Sequence, residues 1–197
     1  PTGGLESQYG LGPAASKVYG IARGLSIGGY AEGYYRRSES GVDDEADMTR
    51  VVAYLGYKFN DWIVFNTEIE FEHGSTSENG SVSVEFATLD FLLMPELNVR
   101  AGEVLIPMGF VNEFHEPPFY YSTFRPTAER VIIPSTWREN GLGIFGNLGE
   151  RLSYRLYAVN GMVASDFRSS GLRSGRQNGS EAIANDLTED GFVLRYR

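Results

Sequence analysis

Residues 62–73 read WIVFNTEIEFEH, and the order of residue types in this stretch decides the fold. Ile63, Phe65, Ile69 and Phe71 share one side of an extended chain; Asn66, Glu68, Glu70 and Glu72 share the other. Successive side chains of a β-strand point to opposite faces, so this is the period of a strand and not of a helix. One alternating strand also suits a soluble, half-buried sheet. The length of the run and the bulk of its apolar side point further, because a tilted strand crosses a bilayer in ~9–11 residues.

The pattern continues on both sides. In LSIGGYAEGYYR (25–36), Leu25, Ile27, Ala31 and Tyr35 lie on one face, and Ser26, Tyr30, Glu32, Tyr34 and Arg36 on the other. In MTRVVAYLGYKF (48–59), Val51, Ala53, Leu55, Tyr57 and Phe59 oppose Arg50, Tyr54 and Lys58. A fourth strand ends near Met94. LNVRAGEVLI (97–106), GLGIFGNL (141–148) and LSYRLYAVN (152–160) read as the fifth, sixth and seventh strands, and an eighth begins at Gly191. The fold class is all-β. Residues 1–24, rich in Gly and Ala and without clear period, read as a lead-in segment, and 25–197 as the strands and their loops.

The connections carry the organisational signal. Short turns fall at 60–61, 95–96 and 149–151, and long polar loops at 37–47, 74–81, 107–140 and 161–190. Long and short alternate strictly, so every long loop lies at one end of the sheet. Outer-membrane barrels have short periplasmic turns and longer extracellular loops, whereas a soluble meander has no reason to keep the long loops together. The expectation is a transmembrane antiparallel β-barrel. Tyr57, Phe59, Trp62 and Phe65 flank the 60–61 turn, as an interfacial aromatic girdle does. The sequence stops at GFVLRYR, inside what reads as a strand, and on Arg197 where barrels usually end on an aromatic residue. More of the barrel is therefore expected beyond it.

Composition agrees. The 197 residues include 24 Gly, 12 Tyr and 12 Phe, a balance that favours strands and turns. No apolar run approaches the ~20 residues of a membrane helix; FATLDFLLM (86–94) is broken by Asp90 and stopped by Pro95. Without cysteine, no disulfide framework or Cys-ligated metal site is expected. A net charge of −9 argues against a nucleic-acid partner, since such binders carry clustered basic charge.

The segments PMGFVNEFHEPP (107–118), ERVIIPSTWRENGLGIFG (129–146) and LSYRLYAVNG (152–161) resemble the phosphate-selective porin O and P family and its porin-like relatives. LSIGGYAEGYY (25–35) and VSVEFATLDFLLMPELNVRAG (82–102) fit as well, so the resemblance covers most of residues 25–163. It implies a barrel of about 16 strands, of which this chain supplies about half, with a long loop folded into the lumen as a constriction. It also implies passive diffusion of small hydrophilic solutes or ions across the bacterial outer membrane. The expected surroundings are outer-membrane lipid and lipopolysaccharide, with a homotrimer or larger outer-membrane assembly as the oligomer. Glu103 departs from the pattern: Val99, Ala101 and Leu105 share its face, so a bulge or a protein contact is needed there.

The inward faces nominate Glu32, Arg36, Arg50, Lys58, Asn66, Glu68, Glu70, Glu72, Arg100 and Arg155 as pore-lining residues, with charge setting ion preference and width setting size exclusion. The competing view of each is that it pairs across strands and fills the interior. The set mixes both signs, so it supplies no basic ladder for phosphate selectivity. The 107–140 loop carries Glu113, His115, Glu116, Arg125, Glu129, Arg130, Arg138 and Glu139 among aromatic residues and five prolines. Loops of this length are usually functional or disordered, and its composition favours packed order. It folds into the pore, as the resemblance implies, or packs outside against a partner; Glu113, His115, Glu116, Arg125, Arg130 and Arg138 are its candidate constriction residues. His115 beside Glu116 suggests a metal ligand, but the other histidine, His73, belongs to a different loop, and no cofactor is expected. Glu68 and Glu70 share a face without a converging nucleophile, which argues against an enzyme. The alternative to a porin is a structural or scaffold barrel without a significant pore.

Overall fold

A computed structural model of the chain describes residues 6–38, 43–74 and 80–176 in full and residues 191–196 as backbone. Parts of the 37–47, 74–81 and 161–190 loops lie outside the described residues. Eight strands form one antiparallel sheet in sequence order: β1 (Gly24–Arg36), β2 (Glu45–Lys58), β3 (Ile63–Glu72), β4 (Ser81–Met94), β5 (Leu97–Leu105), β6 (Arg138–Leu148), β7 (Leu152–Val159) and β8 (Gly191–Tyr196). Each pairs with its neighbours in the chain. Among the described residues β1 and β8 do not pair with each other, so the sheet is open and is not a closed eight-stranded barrel.

The registers follow from the turns. Across the Pro95–Glu96 turn, Asp90 pairs with Arg100 and Thr88 with Gly102. Across the 60–61 turn, Arg50 pairs with Glu72 and Lys58 with Val64. Asn60 accepts the backbone N–H groups of Trp62 and Ile63 at 3.0 and 2.7 Å, an Asx turn that closes this connection. The β3–β4 ladder slips by one residue at Glu68–Ile69, leaving Glu85 bulged and sending both Glu85 and Phe86 inward.

Strand boundaries differ from the sequence reading in places: β2 begins at Glu45 rather than 48. β6 starts at Arg138 rather than 141, because Glu139 and Arg138 extend the ladder to Val104 and Leu105. Arg138, expected as a constriction-loop residue, is thus a strand residue and not part of the 106–137 connection. The described part of the lead-in segment, from residue 6, docks on the sheet. Its 3-10 helix, Ala15–Gly20, buries Ala15, Ser16, Val18 and Tyr19 against one face of β1, β2 and β3.

That face is covered along the sheet by the N-terminal segment and by the 106–137 connection. Two apolar clusters lie beneath them, one around Val18, Tyr54, Val64 and Phe86, the other around Val104, Ile106, Trp137, Tyr157 and Val159. Among the described residues nothing covers the other face, which exposes apolar side chains such as Leu25, Leu55, Phe65 and Leu142. Gly56 of β2 makes the close fit of the helix possible: a Cβ there would stand 2.6 Å from Val18. Gly56→Val is expected to unseat the N-terminal segment and destabilise the intact protein by about 1–3 kcal/mol, read as a lower urea midpoint and as earlier proteolytic cleavage within residues 6–23.

Candidate functional site

The covered face collects charge because the strand period leaves it nowhere else to go. Glu32, Arg50 and Glu70 point inward from three adjacent strands. Arg50 Nε lies 2.9 Å from Glu32 Oε2 and Arg50 Nη1 2.7 Å from Glu70 Oε1, so one guanidinium ties β1, β2 and β3. On β4 and β5, Arg100 donates from Nε and Nη2 to the two Asp90 oxygens at 2.8 and 2.7 Å, a bidentate pair. Tyr19 of the N-terminal helix donates its hydroxyl to Asp90 at 2.7 Å, and Arg100 also donates to the Tyr9 carbonyl at 3.3 Å.

The remaining groups join the sheet to the two segments that cover it. Asn66 donates to the Ala15 carbonyl at 2.8 Å, and Lys58 to the Tyr19 and Ile21 carbonyls at 3.1 and 2.9 Å. Arg155 Nε stands 3.2 Å from Glu113 of the loop. His115 Nε2 is 3.1 Å from Glu68 Oε2. Glu116 accepts the Ala14 N–H at 3.0 Å, which locks loop and N-terminal segment to each other. Burial raises the Glu116 carboxyl above its ordinary range. Burial pulls the His115 imidazole down, but the Glu68 carboxylate outweighs it and the net shift is upward.

The ten pore candidates therefore do not all share one environment. Glu32, Arg50, Asn66, Glu68, Glu70, Arg100 and Arg155 are engaged beneath the covering segments, as is the Lys58 ammonium. Glu72, at the far end of β3, accepts from the Ser81 hydroxyl at 3.3 Å. Arg36 ends β1 in solvent and pairs with Glu45 instead of lining the covered face. Among the loop candidates, Glu113, His115 and Glu116 reach the face. Arg125 stays within the loop, donating to Ser135 and Thr136 at 2.9 and 3.1 Å, and Arg130 is exposed.

Glu103 is met by protein: Arg138 Nε lies 3.2 Å from it, and Arg138 Nη1 3.0 Å from the bulged Glu85. Asp90, Glu85, Tyr9 and Tyr19 belong to the site although the sequence reading nominated none of them. Asp90 had a usable signal, since it and Arg100 stand equally far from the turn at 95.

What the arrangement does electrostatically is now clear. Arg50, Arg100, Arg138 and Arg155 each face a carboxylate, so none of the four is offered bare to a passing anion. A cleft of about 390 Å³ remains beside Gln8, Tyr9, Phe114, Phe145, Asn147 and Arg155, near the 149–151 turn.

No family model matches the chain, and no solved structure matches it. A protein of Aquifex aeolicus (strain VF5), itself described as an uncharacterized protein, is 47% identical over 191 residues. The match covers 93% of this chain and 44% of that protein, so the chain spans somewhat under half the length of the curated relative it matches.

The Asp90–Arg100 pair offers a direct test. Removing one partner of a buried pair strands the other charge and costs about 3–5 kcal/mol. Arg100→Met is expected to destabilise by that order in urea titration. The double variant Asp90→Leu, Arg100→Met is expected to recover part of the loss, because no charge is left uncompensated.

Proposed function

We propose that the chain is part of an outer-membrane diffusion porin, a β-barrel through which small hydrophilic solutes or ions pass without energy input. The observation that carries the reading is the inversion of polarity across the sheet. Leu25, Val82 and Leu142 are 64, 65 and 60% exposed, whereas Glu68, Asp90 and Arg100 are 1, 0 and 3% exposed. A water-soluble domain buries its leucines and solvates its charges; large contiguous apolar surface marks a face that meets something other than water. A lipid-facing strand surface with a polar interior has this distribution.

Further support comes from the open sheet and from the length of the relative. The unpaired edges of β1 and β8 need strands to close on, since the bilayer has no water to satisfy free backbone groups. A protein about twice as long has the residues for roughly as many strands again. Exposed Tyr57, Phe59, Trp62 and Phe65 around the 60–61 turn suit an interfacial girdle. The 106–137 loop lies against the covered face, where a constriction loop belongs.

A second reading is a scaffold barrel without a significant pore. The filling of the covered face by the N-terminal segment and loop favours it. Planar-bilayer recording of the full-length protein separates the two: stable steps on the nanosiemens scale are expected of the porin, and a silent bilayer with correctly inserted protein sinks it.

Membrane contact of the bare face is tested separately with Val51→Arg in mid-β2. A lipid-facing Arg near the midplane costs about 2–4 kcal/mol. Insertion into vesicles is expected to drop accordingly, while Glu45→Arg at the strand end has much less effect.

A further inference from the structure

His115 stands where the loop, the N-terminal segment and the sheet meet, with its side chain 4% exposed. Its Nδ1 is 3.0 Å from the Asn112 carbonyl oxygen, and its Nε2 is 3.2 and 3.1 Å from the two oxygens of Glu68. A carbonyl and an ionised carboxylate only accept hydrogen bonds, and a neutral imidazole has one N–H to give. Both contacts are satisfied only if the ring carries two protons, or if the ring carries one and Glu68 the other. In either form the pair holds one proton more than a neutral histidine beside an ionised glutamate.

Much hangs on that proton. Asn112 donates to the carbonyls of Ile106 and Trp137 at 2.7 and 2.8 Å, gathering the two ends of the loop. Glu113 reaches Arg155 on β7, and Glu116 holds the Ala14 N–H of the N-terminal segment. Between them, His115 supplies the tie to β3. Other charges and titratable groups surround it. Glu85 of β4 adds negative charge, Arg125 of the loop adds positive charge, and Glu116 is its neighbour in the chain. Tyr54 of β2 lies beyond Glu68, and Tyr120 donates its hydroxyl to the His115 carbonyl at 2.6 Å. Among the described residues, the N-terminal segment brings the backbone N–H groups of Ala14 and Ala15 to Glu116.

We infer that the 106–137 loop is a proton-dependent latch over the covered face, seated while the His115–Glu68 pair keeps its extra proton and released when that proton leaves. The latch stands on this geometry alone; its consequence for solute flow rests on the porin reading above. The direction follows from linkage. A histidine whose pKa is raised on seating contributes in full below its ordinary value and loses that contribution as pH rises through the raised one. The loop is therefore held most firmly below the ordinary histidine range and loosens as pH rises from there through the raised value. Between the released and seated pKa values the opening constant rises about tenfold per pH unit.

The test is hydrogen exchange over residues 107–125 of the full-length protein, run from pH 5 to pH 10 beside bilayer conductance in the same lipid. Exchange is referenced at each pH to His115→Arg, which cancels the intrinsic rate and keeps a side chain that stays charged across the range at the site. Between the ordinary and the raised histidine values, wild-type protection is expected to fall about tenfold per pH unit relative to that variant, and to level off above. His115→Gln is expected to be unprotected throughout, with its sheet circular dichroism unchanged. Wild-type protection that tracks His115→Arg across the range overturns the latch, and the wild-type profile decides even if the glutamine variant fails to fold. Exchange that titrates above a silent bilayer leaves the latch standing and removes the pore. Steady conductance with no pH response in either measurement does the reverse.

Discussion

Alternation imposes one constraint from which the other features follow: most charges within the strands go to the same side. The sheet cannot distribute its carboxylates and guanidiniums over two solvated faces, because one face is given over to Leu, Ile, Val and Phe. Isolated charges beneath covering segments are costly, so the charges must find each other. Arg50 answers Glu32 and Glu70, Arg100 answers Asp90, and Arg138 answers Glu85 and Glu103. Where the sheet lacks a partner, a covering segment brings one, as Glu113 does for Arg155 and His115 for Glu68.

This explains why the N-terminal segment and the long loop contact the sheet largely through polar groups. Their apolar side chains fill the spaces left by small residues, with Val18 over Gly56 as the clearest case. The backbone carbonyls of the N-terminal segment then accept hydrogen bonds from Asn66, Lys58 and Arg100. The result is an interior held by directional contacts as much as by apolar burial.

Strand identity, facing and connection order were legible in the sequence because each is a local consequence of period two and of turn chemistry. Ile63, Phe65, Asn66 and Glu68 fall on the faces expected of them. The placement of residues 6–23 was not legible. A Gly- and Ala-rich stretch without period gives no sign of its docking partner, and the contacts of Tyr9 and Tyr19 reach strands far along the chain. The bulge at Glu85 was hidden for a related reason: one extra residue breaks parity without any change in composition. Arg138 was placed in the loop because Asn140–Gly141 reads as a boundary, whereas its ladder to Leu105 depends on the partner strand.

The same meander has a consequence for the order in which the molecule assembles. Its strand pairs are all between chain neighbours, and those joined by the short turns at 60–61, 95–96 and 149–151 form as local hairpins with little loop-closure entropy. The interior contacts are of the opposite kind. Arg100 meets Tyr9 across 91 residues and Glu116 meets Ala14 across 102. Such contacts require strands on both sides to be in place first, yet the N-terminal segment must already be on the correct side of the sheet. Folding is thus a threading problem at its start and a locking problem at its end. Residues 6–23, synthesised before every strand they touch, wait for a surface that the chain has yet to make.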